Sequence, residues 1–200
     1  QVRGRSDRSV RVVMPPSFAA KWFSRRMARF LIDYPTTSLH VGSQSQMIDF
    51  SRDPVDIAVR YFDGCDDSLE TVLLYRGRAA AYCAPSYRDH MGLAKPSDLV
   101  RATLLNDILH ASWPEWLGAY AGLSMANVST ITQIEIDQTS MAIEAAIHGQ
   151  GVVLANPLLT EEDIAEGKLV HLFPENRAPR GQVKLFRDWL LAEAHELDVG

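Results

Sequence analysis

Cysteine is scarce: the 200 residues hold two, Cys65 and Cys83, in neither a disulfide framework nor a zinc spacing. Two isolated, buried thiols fit a reduced, cytoplasmic protein. Long apolar runs are missing too, and no signal-like segment precedes the first strand pattern, so no membrane contact is expected. The histidines, at 40, 90, 110, 148, 171 and 195, show no HExxH or comparable ligand spacing, which removes the common zinc enzymes. No Walker loop or nucleophile elbow occurs. Gly149-Gln150-Gly151 follows a predicted helix and precedes a predicted strand, the reverse of the order a dinucleotide loop needs, and reads as a helix stop. Cys83 lies in the apolar run AAAYCAP, where burial makes a thiol inert. No metal, cofactor or catalysis is expected.

The formal charge of −5 is unevenly spread. Residues 1–30 carry eight basic residues against Asp7 alone, and the remainder holds 12 basic and 24 acidic residues. That remainder is a poor surface for a polyanion, and the basic opening suits an exposed helix face as well as a nucleic-acid arm. With 46% apolar residues the chain can bury a real core, in one domain or in two small lobes.

Ser9–Met14 alternates like a strand. Pro15, Pro16 and Ser17 then lead into an amphipathic helix through Phe18, Trp22, Met27 and Phe30, with Ser17 as its expected N-cap and Pro35 as its stop. A second strand is expected at 38–41, a short helix at 44–50, a third strand at 55–60, and further strands at 71–75 and 79–83. Strands alternating with helices at this spacing predict a parallel sheet with helices on its faces. A second series follows: a helix around YRDHMGL, a helical turn after Lys95-Pro96-Ser97, a strand at 103–105, an aromatic helix over WPEWLGAYAG and a strand over ITQIEI. Asp137 is the expected cap of a helix at 138–148, and VVLA forms another strand. Leu158, Leu159, Ile164 and Leu169 belong to a loop and short helix before LVHLF, and VKLFRDWLLAEAHEL is a terminal amphipathic helix.

What remains suits binding. Predicted strands end in hydroxyl or amide residues just before helices: Pro16-Ser17, Gly42-Ser43-Gln44-Ser45 and Asp137-Gln138-Thr139-Ser140. In an open α/β sheet the carboxyl ends of strands and the starts of helices bound the ligand crevice, and free N–H groups there favour an anion. Each hydroxyl has a plainer reading as the cap of its own helix.

The segments PPSFAAKWFSRRMARFLIDYP, DPVDIAVRYFDG, AAYCAPSY, DQTSMAIEAAIHGQGVVLANPLLTEEDIAEGKLVHLF and VKLFRDWLLAEA together resemble, in order, the effector-binding domain of LysR-type transcriptional regulators. The likeness covers residues 9 to 195, nearest to the branch with the glycine-cleavage and β-lactamase regulators. It implies an α/β fold of the type 2 periplasmic-binding-protein kind: two Rossmann-like lobes, a ligand cleft between them and two crossover segments. Lobe I would comprise 9–83 and 174–200, lobe II 84–173, with the first crossover at 82–86. A small-molecule effector, often a carboxylate, would contact Ser17, Ser43, Gln44, Ser45 and Arg60 from lobe I. Lobe II would add Asp107, Trp113, Asp137, Gln138 and Asn156. The same resemblance implies a homodimer joining Trp22, Arg26 and Arg29 of one subunit to Met141, Glu144 and His148 of the other, and a tetramer in a full-length protein. DNA would be bound by a winged helix-turn-helix that this chain does not contain. Family members usually carry a further strand and turn before the terminal helix, and that segment is short here between 177 and 181. A stand-alone solute-binding protein is the alternative reading, and a small α/β enzyme a weaker one.

Within SRDPVDIAVR, Val55, Ile57 and Val59 alternate with Asp56, Ala58 and Arg60. Four strand residues separate Asp56 from Arg60 by roughly 13 Å, too far to share a proton. Asp56 therefore reads as scaffold, and Arg60, at the carboxyl end, as a sensing residue.

Overall fold

The computed structural model describes residues 9–61, 68–75, 79–107 and 113–174. They fall into two compact units, the first holding the described residues up to 75 and the second those from 79 onward. Each is α/β.

In the first unit β1 (Ser9–Met14) runs into α1 (Pro16–Phe18), a π-helical stretch (Ala19–Phe23) and α2 (Ser24–Asp33), followed by β2 (Ser38–Ser43) and β3 (Ile57–Ala58). The helix starts where expected, but Pro15 occupies the N-cap position and Ser17 lies buried inside the first turn. The π stretch turns Lys21, Trp22 and Phe23 inward together. A regular helix, advancing about 100° per residue, would fan three successive side chains across more than half its circumference. Sheet order is β2-β1-β3, with β1 parallel to both neighbours. Val10, Val12, Val13 and Met14 from β1 are buried, as are Phe18, Trp22 and Phe23.

Two expected elements are not formed. Residues 44–50 make no helix, and 71–75 make no strand. Val72 and Leu73 are 43% and 53% exposed, so the apolar run TVLLY finds no sheet edge among the described residues. The third strand is shorter than its alternation suggested, because only Ile57 and Ala58 face Val12 and Val13 across the ladder.

The second unit contains β4 (Ala80–Cys83), α3 (Pro85–Met91), a 3₁₀ turn (Pro96–Arg101), β5 (Leu104–Asp107), α4 (Trp113–Ala121) and α5 (Met125–Val128). It continues with β6 (Gln133–Ile136), α6 (Thr139–Ile147), β7 (Val152–Ala155), α7 (Pro157–Ala165) and β8 (Val170–His171). Its sheet order is β6-β5-β7-β4-β8. β5 is parallel to β6 and β7, and β4 is antiparallel to β7 and β8. This corrects the expected boundary: the strand at the end of the first lobe is hydrogen-bonded inside the second unit, through Tyr82 opposite Val153. The expected terminal helix, the short segment between 177 and 181 and Cys65 lie outside the described residues. Cys83 is fully buried, which pushes its thiol up to about 12.

Helix α6 ends as its glycines require. Gly149 adopts φ 71°, and its N–H donates to the Ala146 carbonyl. At Gly151 a Cβ would stand 2.5 Å from the Thr103 carbonyl oxygen, and the next residue, Val152, donates its N–H to that same oxygen. Only glycine permits this approach of β7 to the start of β5. Between α3 and β5, Asp98 Oδ2 accepts the N–H groups of Ala94 and Lys95, both at 2.9 Å. Arg101 donates to the Met91 and Gly92 carbonyls and reaches Asp98 Oδ1. One carboxylate and one guanidinium thus tie the end of α3 to the 3₁₀ turn.

The amide donors of Ala94 and Lys95 hold the Asp98 carboxyl below its ordinary range. Its folded value lies below the unfolded one, so its contribution is complete above the unfolded value and is lost as pH falls through the folded value. The melting temperature is expected to fall on acidification below about pH 4, with a shallower fall in Asp98→Asn, followed by circular dichroism. Identical pH profiles for the two proteins would remove Asp98 from the account.

Candidate functional site

Because β1 is parallel to both neighbours, the three strands of the first unit end at the same edge. Met14 lies opposite Ser43, and the Gln44 N–H donates to the Met14 carbonyl at 3.0 Å. On the other side Val13 lies opposite Ala58, and the Val59 N–H donates to the Val13 carbonyl at 2.8 Å. Ser17, three residues beyond β1, is buried, while Ser43, Gln44 and Ser45 are exposed. The structure therefore brings together at one sheet edge all five positions assigned to the first lobe.

Asp56 and Arg60 have different partners. The Asp56 carboxylate accepts the Arg11 N–H at 2.7 Å, and its own N–H donates to the Arg11 carbonyl at 2.9 Å. That clamp locks the start of the β3 segment to β1. At the other end, Arg60 is half-buried and curls back so that Nη1 donates to the Val59 carbonyl at 2.7 Å. Its Nε and Nη2 are buried, and neither has a hydrogen-bond partner among the described residues. Burial lowers the guanidinium from its ordinary value, yet an arginine remains charged at any physiological pH.

The second unit has a corresponding edge at the ends of β5, β6 and β7. Asp107 closes β5, is almost fully buried and accepts a short hydrogen bond from the Thr139 hydroxyl in the first turn of α6. Asp137 is exposed, and Gln138, not Asp137, occupies the N-cap position, with no side-chain cap bond. Asn156 caps α7, accepting the Leu158 N–H on Oδ1 at 2.9 Å. Trp113 is a correction. It is completely buried and donates its indole N–H to the Leu105 carbonyl, standing edge-on to Trp116, and so anchors the core instead of lining a site. Thr139 was absent from the expected contacts. Its signal was the run of polar residues at the start of α6, where the hydroxyl-bearing residue that pairs with a buried carboxylate is one position beyond those chosen.

Of the residues assigned to a dimer surface, Arg29, Met141, Glu144 and His148 are exposed, Met141 by 62%. Trp22 is buried against Phe18, with ring centroids 4.9 Å apart, and the Arg26 guanidinium lies over its ring, 4.5 Å from the centroid. Trp22 is therefore not itself exposed. No residue of α2 is buried, and Ile32 is 77% exposed.

The sequence matches the family model described as the LysR substrate binding domain over residues 3–190. It is 29% identical to the HTH-type transcriptional regulator PerR of Escherichia coli K12 over 97% of this chain and 68% of that protein. It is 30% identical to the glycine cleavage system transcriptional activator of the same strain over 92% of this chain and 64% of that protein. The chain thus spans about two thirds of the length of these relatives. Among solved structures, the effector domain of the transcriptional regulator AmpR of Pseudomonas aeruginosa superimposes with a TM-score of 0.68 at 25% identity, covering 94% of this chain and 96% of that one. With two α/β units, parallel strand ends gathered at an edge of each and a family match along almost its whole length, the chain belongs to the LysR substrate-binding domain family.

Proposed function

We propose that this chain is the effector-sensing part of a bacterial LysR-type transcriptional regulator. It takes up a small anionic molecule at the carboxyl edges of its two sheets and passes the event to DNA through a helix-turn-helix elsewhere in the parent protein. Two Rossmann-like lobes joined by two crossing segments, with the effector between them, is the arrangement this reading requires. The observation that carries it is the gathering of Ser17, Ser43, Gln44, Ser45 and the partly unpartnered Arg60 at the end of the first unit's parallel sheet. Strand ends in open α/β sheets are where ligands bind, and a cation with unmade donors there favours an anion. A ligand moves a regulator only by its differential affinity for two arrangements, so the effector must hold one relation of the units better than another. The names of the relatives favour a regulator over a stand-alone solute-binding protein.

The homodimer is part of this proposal: the helical face above Trp22 in one subunit packs against the exposed side of α6, around Met141 and Glu144, in the other. Met141→Glu is expected to lower the dimer fraction in sedimentation equilibrium while leaving the melting of the domain unchanged; an unaltered dimer would place the interface elsewhere.

A panel of small anions screened by thermal shift tests the sensing itself. A true effector raises the melting temperature saturably, contributing about 2.7 kcal/mol at a hundred times its dissociation constant. Replacing Ser17 by Val and Ser45 by Leu together is expected to abolish that rise. An undiminished rise in the double variant would rule out this edge as the site.

A further inference from the structure

We propose that Phe173 is a conformational latch at the end of the second unit's sheet: its ring, seated beside Trp116, holds the backbone in a strained left-handed turn that withdrawal of the ring releases. The inference concerns the second unit alone and does not depend on the effector-sensing reading. Among the described residues Phe173 is the one non-glycine with a positive φ, 57°. The other positive-φ positions, Gly92, Gly122, Gly149 and Gly167, are all glycines. An L side chain in this region is crowded by the backbone, and for a bulky aromatic the conformation is a genuine outlier. Pro174 makes it harder to hold, because the residue before a proline is pushed toward extended backbone with negative φ.

Such strain persists only where the surroundings impose it. Two contacts do so here. The Leu172 N–H donates to the Ala81 carbonyl at 2.9 Å, one step past the pairing of Tyr82 with His171, and fixes the chain just before the turn. Phe173 itself is 4% exposed and belongs to the same apolar cluster as Leu117, Leu154 and Leu172, with its ring centroid 6.2 Å from that of Trp116. Trp116 is held in turn by Trp113, edge-on at 5.9 Å, and by Tyr120 at 4.9 Å, so α4 supplies a built seat. A glycine at 173 would make the turn without strain but would have no ring to seat. Seating the ring gains apolar burial and an aromatic contact, while withdrawing it regains the extended backbone that precedes a proline. These opposed contributions are of similar size, so the two states coexist and exchange. The withdrawn state lets the chain turn away after Leu172 while the β4–β7 ladder stays closed.

The test uses the 200-residue chain, isotope-labelled for nuclear magnetic resonance, with Phe173 assigned by its loss in Phe173→Leu. A positive φ lowers the one-bond Cα–Hα coupling, so Phe173 is expected to show a smaller coupling than the other phenylalanines. Relaxation dispersion, which reads microsecond-to-millisecond exchange, is expected at the Leu172 and Phe173 amides and absent at Val153 and Leu154 in β7. Trp116→Leu takes away the aromatic seat and is expected to raise the withdrawn population roughly two- to tenfold, moving the Phe173 coupling toward the ordinary value. If that variant does not fold, Trp116→Phe is measured in its place, with a smaller rise expected. An ordinary coupling at Phe173 in the parent, flat dispersion at both Leu172 and Phe173, or exchange left unchanged by the substitution at Trp116 would each overturn the proposal.

Discussion

The parallel pairing of β1 with both of its neighbours is the constraint on which the first unit depends. It sends all three strands out at one edge, so three loops distant in sequence meet around the end of Met14. The pairing with β3 covers only two residues on each side. Asp56 extends it by bonding the Arg11 backbone with both its carboxylate and its own amide. A charged acceptor on a backbone donor is stronger than a neutral one, and here it sits where the ladder would otherwise run out. Fixing the start of the segment in this way fixes where Arg60 emerges.

The second unit solves the same problem with more strands and a different balance of charge. Its edge carries a buried carboxylate, Asp107, held by the Thr139 hydroxyl, where the first unit's edge carries a guanidinium. A carboxylate beside the first turn of α6 already interacts with the positive end of that helix. The two edges are therefore chemically unlike: one offers a cation with donors to spare, the other a carboxylate with its hydroxyl.

Much of this was legible locally. Gly149 and Gly151 marked the end of α6, the alternation in SVRVVM gave β1, and the order of segments carried the family likeness across nearly the whole chain. What escaped depends on contacts distant in sequence. AAYC reads correctly as a strand, but nothing local says that it pairs with β7 in the second unit. TVLLY has the composition of a strand, and a strand exists only where a neighbour accepts its hydrogen bonds. Trp113 was assigned to the site only through the family resemblance, yet its indole partner is Leu105, eight residues back and inside the core. The Thr139–Asp107 pair spans 32 residues, beyond any spacing rule. Asp56 and Arg60 lie four positions apart in the sequence, and each has a different partner.

Hydrogen–deuterium exchange of the chain, with and without a small anion that raises its melting temperature, tests the central claim most directly. The account expects slowed exchange at 14–17, 43–45 and 59–60, where the strands of the first unit end, with the rest of that unit's sheet unchanged. Protection confined to other segments, or none at these three, would contradict it.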